Sequence, residues 1–366
     1  MKNLNFLNDI KNFLNNKFEF KYMTEDLDNW IRCINKQVSF FIPVSYKSSF
    51  IQYQELYFKD VYEEYMDLSM VLYRGGRAVG LFPFCIYKQN GVYSFGSNGG
   101  DVLEPVFVED LKPESINSII KNILIALKET VKEFSIDPEI RFSSYSLNEG
   151  ISLFQRKLLE LCAVCKSVKM ISFVDLSNSY DAIQRKMRRT NKYSINKGNE
   201  DYNIDIIDGN DAVNILDSTI SYFREFHIRI SGRETRSVDT WLKQLQNIKD
   251  LREGTDFVVS IKDRSTNKIV GMALFAATKL SSYYAVGVYD RERFKRPVGH
   301  VVQAYAIKHM QSLGIRWYEL GDRYYPFNKD SNEKLLNISF YKEGFATNIY
   351  PKIVYTLNIL TIYGEE

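Results

Sequence analysis

The sequence predicts a mixed α/β protein of two domains built on one plan. Three observations carry this. The chain has 366 residues, enough for two ordinary domains. Hydrophobic residues make up 45% and charged residues 25%, a globular balance. One succession, strand–turn–strand–strand–helix–strand, occurs twice, an internal repeat at domain scale with mixed sheets (α+β).

The elements follow in order. Residues 1–40 read as helix with a polar surface. From residue 67, MVLYR and AVGLFPF flank Gly75-Gly76, and CIYKQ and VYSFG flank Asn90-Gly91. Both pairs are tight hairpin turns, so the stretch reads as a meander of three strands. Ile116, Ile119, Ile120, Ile123, Leu124 and Leu127 recur at helical spacing and predict a helix over 113–134. EIRFSSY reads as a further strand. A helix over 180–197, closed by Gly198, and the alternating NEDYNIDIID open the second half. There, DFVVSIKD, IVGMALFAA and SSYYAVGVY repeat the strand pattern, with Val270-Gly271 answering Val79-Gly80. A helix over 300–313 ends at Gly314, the strand WYELG follows, and FATNIYPKIVYTLNI closes the domain. The boundary falls near 166–180, giving domains 1–170 and 171–366.

Composition excludes several functions. Net charge is +3 and pI about 8.4, too weak a basic field for duplex DNA. Cys162 and Cys165 form a C-x-x-C without a second ligand pair nearby, so no metal is expected. They read as two buried thiols in a reducing compartment. The N-terminus is interrupted by Asn, Asp and Lys and does not read as a signal peptide. No stretch has the apolar length to span a bilayer. The expectation is a cytoplasmic protein.

Three segments resemble the FemAB-like proteins of the GNAT superfamily: the basic helix RKMRRTNKYSINKG, the stretch YYAVGVYD…WYELGD, and FYKEGF, similar to the family's FKxGF ending. The resemblance implies two tandem GNAT-like domains around a substrate cleft, and transfer of an acyl or aminoacyl group to an amine. It implies acyl-CoA (acetyl-CoA) or aminoacyl-tRNA as donor.

Candidate residues follow from residue chemistry within that frame. Lys342 matches the family lysine and would stabilise an oxyanion; Tyr341 stands where Phe is usual. Asp322 ends a strand and would orient the amine or act as base. His227 would take the amine's proton, or is a capped surface histidine. Arg233, Arg236 and Trp241 surround a Ser231-Gly232 turn and suit an acceptor carboxylate, phosphate or sugar. Tyr284, His300, Gln303 and Arg323 are placed to face the cleft. For the donor's phosphates, Arg296 and Gly299 partly fit the Q/R-x-x-G-x-G/A loop, with Val301 where a small residue is usual. Arg185, Arg189 and Lys192, read as one helix face, are a second anion site or a solvated surface. The expected acceptor is an amino sugar, sugar nucleotide or other glycan or cell-envelope precursor. The alternatives are a tRNA-dependent aminoacyl transferase on a peptidoglycan or peptide precursor, and a non-catalytic binding protein of a glycan pathway.

Overall fold

The computed structural model describes residues 2–36, 41–146, 150–293, 297–328 and 331–362. The chain divides into two compact units. The first comprises Met1–Phe40, Ser45–Lys169 and Pro351–Glu366, and the second Phe41–Val44 and Met170–Tyr350.

The first unit opens with α1 (Lys2–Leu14), β1 (Phe20–Tyr22), α2 (Leu27–Asn35) and α3 (Ser48–Lys59). The strands β2 (Glu64–Asp67), β3 (Met70–Arg74), β4 (Arg77–Phe82), β5 (Cys85–Gln89), β6 (Val92–Gly96), β7 (Val102–Leu103) and β8 (Val106–Phe107) follow. Then come α4 (Pro113–Phe134), β9 (Glu139–Tyr145), α5 (Leu153–Glu160) and the start of β10 (Val164–Asp175). Both expected hairpins form. Gly75 and Gly76 take φ of 57° and 76°, and Asn90 and Gly91 take 51° and 78°, the left-handed pair that a two-residue turn needs.

The meander, however, is not one sheet of three strands. The run 77–89 breaks at Pro83, which has no N–H for a ladder. β3 and β4 join the order β1-β3-β4-β8, whereas β5 and β6 join β2-β5-β6. The break is sealed by serines: the Phe84 N–H donates to Ser69 Oγ at 3.2 Å, and Ser97 Oγ donates to the Pro83 carbonyl at 2.5 Å. α4 has the predicted boundaries. Pro113 opens it, and Ile119, Ile120, Ile123, Leu124 and Leu127 are its buried stripe.

Cys162 and Cys165 are exposed rather than buried, because α5 ends in a turn where Cys162 has φ of 60° and β10 then starts with a solvent-facing half.

The second unit continues with α6 (Tyr180–Lys186), α7 (Arg189–Asp201), β11 (Tyr202–Asp208), α8 (Val213–Ser231), α9 (Val238–Gln246), β12 (Phe257–Asp263), β13 (Ile269–Ala277) and β14 (Ser281–Tyr289). It ends with α10 (Val298–Ser312), β15 (Trp317–Arg323), α11 (Glu333–Glu343) and the first residues of β16 (Asn348–Asn358). Its strands run β11-β12-β13-β14-β15-β10, with only β14 and β15 parallel among the described ladders of this unit. Side chains alternate across the sheet. Phe257, Val259, Ala273 and Phe275 pack against Val302, Ala306, Ile307 and Met310 of α10. Val258, Met272 and Leu274 face Phe223 of α8 and Trp241 and Leu245 of α9.

The single helix expected over 180–197 is two. Met187 and Arg188 take extended backbone angles between α6 and α7. Gly198 lies inside α7 instead of ending it, because a Cβ there would collide with Val301 of α10. From Pro351, β16 belongs to the first unit, where it runs antiparallel to β9.

Candidate functional site

The end of β15 is irregular. Opposite Ser172 and Phe173 its register shifts between Gly321 and Glu319, and Gly321 has φ of 94°, a bulge that re-aims the strand's last side chains. Lys342 reaches this point from α11: a Cβ on Gly321 would stand 3.3 Å from its Nζ. Burial lowers the Lys342 pKa, and Asp322 and Glu319 partly oppose that shift by favouring the ammonium. The structure therefore joins the two residues singled out from the sequence, Asp322 and Lys342, and adds Glu319. The Tyr324 hydroxyl donates to Asp322 at 3.4 Å.

Arg323 has a different place. It pairs with Glu343 at 3.0 Å and donates to Ser339 Oγ at 3.2 Å. Arg188 reaches the same Glu343 at 3.5 Å and donates to the Phe340 carbonyl at 2.8 Å. These contacts tie α11, and with it Lys342, to β15 and to the α6–α7 break.

A second cluster lies on the α10 face. Tyr318 is fully buried and its hydroxyl donates to Gln303 Oε1 at 2.6 Å. The Tyr284 and Tyr289 hydroxyls are 3.0 Å apart. Burial pushes Tyr284 up to about 12 and Tyr289 and Tyr341 well above the usual phenol value, so all three stay protonated at neutral pH. His300 stands edge-on to Tyr341 with ring centroids 5.0 Å apart, and burial lowers its pKa. Tyr284, His300, Gln303 and Gly299 thus share this cluster through Tyr289, Tyr318 and Tyr341. Tyr289 and Tyr318 were not anticipated. The signal for them was the aromatic density of SSYYAVGVY and WYELG around small residues.

Arg296 lies outside the described residues. Gly299, in the first turn of α10, is crowded: a Cβ would stand 3.0 Å from the Tyr341 hydroxyl. Val301 is wholly buried, and α7 packs on it through Gly198. Arg185, Arg189 and Lys192 do not share one helix face, because the break at 187–188 separates them. Arg185 and Arg189 are exposed, and Lys192 Nζ donates to the Arg185 carbonyl at 3.2 Å. Beside the break, Lys186, Arg188, Glu343, Gly344, Thr347 and Asn348 line a groove of about 380 Å³.

The segment 226–241 forms the end of α8, a turn at Gly232 and the start of α9. Trp241 is wholly buried in the α8–α9 layer, so its ring is core and not a platform for a sugar. It packs against His227 at 4.7 Å and under Arg236 at 4.2 Å. Arg236 also donates to Gln244. Burial, then Arg236, lowers the His227 pKa. Arg233 is exposed on the turn. The described contacts join His227 to Arg236 and Trp241 on the face opposite α10, not to Tyr284 and His300.

The first unit holds two carboxyls that sequence reasoning passed over. Glu104 accepts from Ser144 at 2.7 Å and Ser152 at 2.6 Å, and burial raises its pKa. Asp67 accepts from Ser69 Oγ at 2.6 Å and is raised by burial to about 7. Among the described residues no three His, Cys, Asp or Glu side chains are grouped to hold a metal, and no helix is long and apolar enough to cross a membrane.

No protein-family model and no curated protein sequence matches the chain. Solved structures do. FemX is 13% identical with a TM-score of 0.65, over 93% of this chain and 98% of FemX. A conserved protein of unknown function from Bacteroides thetaiotaomicron is 11% identical with a TM-score of 0.58, over 93% of this chain and 99% of its own. The C-terminal domain of a putative lysylphosphatidylglycerol synthetase from Agrobacterium fabrum is 12% identical with a TM-score of 0.55, over 90% and 92%. This chain has the fold of FemX over nearly the whole length of both chains.

Proposed function

We propose that this chain is an acyltransferase that moves an acyl or aminoacyl group from an activated carbonyl to an amine of a glycan or cell-envelope precursor. The observation that carries this reading is Lys342 held against the Gly321 backbone beside Asp322 and Glu319. The amine loses a proton to Asp322, directly or through water, and attacks the carbonyl. The C–N bond forms, the bond to the donor's sulfur or oxygen breaks, and the leaving group takes up a proton. Lys342 supplies a cation and N–H donors to the oxyanion between these events.

Acyl-CoA is the donor the GNAT-like plan suggests, with an amino sugar as acceptor. A second reading, an aminoacyl ester on tRNA, is favoured by the α10 start. There the Tyr341 hydroxyl stands against Gly299, where GNAT-like proteins set the CoA pyrophosphate. An ester presented on an RNA end needs no such cradle. Phe327, highly exposed and stacked on Tyr325 at 5.3 Å, offers a surface for a base, and Arg188 and Arg323 stand over Phe340 and Tyr325.

The test supplies acetyl-CoA or charged tRNA with a panel of amino sugars and peptide precursors. Product is followed by mass spectrometry in wild type and in Lys342→Met. Transfer that needs Lys342 supports the reading, and the donor consumed selects between its forms. A chain that binds glycans but transfers nothing from either donor would be a binding protein instead.

A further inference from the structure

On the α10 face of the second unit, phenol protons outnumber the acceptors that the described residues offer them. Tyr284 and Tyr289 share one hydrogen bond of 3.0 Å. It uses one proton, and the accepting hydroxyl keeps an O–H to give elsewhere. The Tyr341 hydroxyl makes no hydrogen bond to any described residue. Only the fourth phenol, Tyr318, is accounted for, by Gln303.

Two glycines make room for these hydroxyls. A Cβ at position 287 would fall on the Tyr284 hydroxyl, and one at 299 would stand 3.0 Å from that of Tyr341. Neither glycine has a left-handed φ, so each is there for space and not for backbone freedom. Among the described residues, the arrangement presents O–H donors with no cation of its own. His300, the ionisable ring against Tyr341, is held toward its neutral form by burial. Lys342, next in sequence, points to Gly321, beside Asp322 and Glu319. A phosphate or carboxylate moved here would lose its hydration without gaining a counter-charge. An uncharged carbonyl oxygen gives up little and can accept two O–H bonds.

We propose that Tyr341 and the Tyr284–Tyr289 pair bind an uncharged carbonyl oxygen, that of an amide, ester or thioester, and select it over an anion. Its place in the reaction rests on the acyl-transfer reading; the binding itself does not. The carbonyl comes from the donor's acyl group or from an amide on the acceptor.

The binding experiment uses the intact chain. Saturation-transfer NMR follows N-acetylglucosamine, which carries an amide carbonyl, with inorganic phosphate added at equal concentration. The sugar shows transfer, phosphate does not displace it, and Tyr341→Phe and Tyr289→Phe each weaken its binding about fivefold, the worth of one hydrogen bond. Each variant keeps its ring, and an unchanged Tm checks the packing. Absence of the sugar signal, displacement by phosphate, or an unaltered signal in both variants overturns the proposal. In the transfer assay, a raised acceptor KM at constant kcat assigns the site to the acceptor's amide, and a lowered kcat assigns it to the donor's carbonyl. If no donor supports transfer, the acyl-transfer reading fails while the NMR result stands.

Discussion

Two buried carboxyls of the first unit and a turn carboxyl of the second are held in opposite ways. In the first unit Asp67 and Glu104 sit among hydroxyls, and burial raises both. In the second, Asp263 is pinned by Ser265 Oγ at 2.5 Å, by the Thr266 N–H at 2.9 Å and by Arg293 at 2.9 Å, and lies near 2. Glu343 is shared by Arg188 and Arg323, and Glu319 and Asp322 face Lys342. Asp67 and Asp263 thus part according to whether burial or hydrogen bonds to the anion, led by Ser265, dominate.

Removing cations from the second unit gives the largest expected effect. Lys342→Met keeps the aliphatic stem and deletes the charge, and transfer should fall by about 10²–10³, read as kcat/KM. A smaller loss would remove Lys342 from the chemistry.

Asp263→Ala should cost about 3 kcal/mol, since it strands Arg293 and the turn's N–H groups; thermal unfolding at pH 7 measures it. Because the folded pKa is depressed, the wild-type advantage holds above the ordinary value of 3.8 and disappears as pH falls through about 2.

Asp67→Asn tests the first unit with the reverse sign. A raised pKa makes the wild type lose stability as pH climbs from 3.8 through about 7. The variant should gain about 2 kcal/mol over wild type at pH 8 and little at pH 4. A gain equal at both pH values would mean that ionisation is not the cause.

The smallest effect is Glu343→Gln, about 1 kcal/mol, because that carboxylate is partly solvated. It should nonetheless loosen α11, seen as faster amide exchange at Lys342.

What the sequence made legible was local. α4 and β9 have their predicted ends because Pro113 and the spacing of Ile and Leu act within a few residues, and Gly75-Gly76 and Asn90-Gly91 specify their own turns. The break at Pro83 was visible as a proline, but its consequence, two sheets from one meander, depends on distant Ser69 and Ser97. Gly198 read as a helix stop because glycine usually is one; its role comes from Val301, far along the chain. At the site, the FYKEGF and YELGD motifs led to Lys342 and Asp322. Tyr289 and Glu104 were hidden because their importance lies in which hydroxyls they meet, and no spacing encodes that. Trp241 misled for the same reason, since an aromatic beside arginines reads alike on a surface or in a core.

The path of β16 bears on how the polypeptide is made. β9 gains its antiparallel neighbour only from Lys352–Asn358, which leave the ribosome after all of the second unit has emerged. The half synthesised first is therefore completed last, and a premature stop before Pro351 would leave an open strand edge on the N-terminal half, where nascent chains stick to one another.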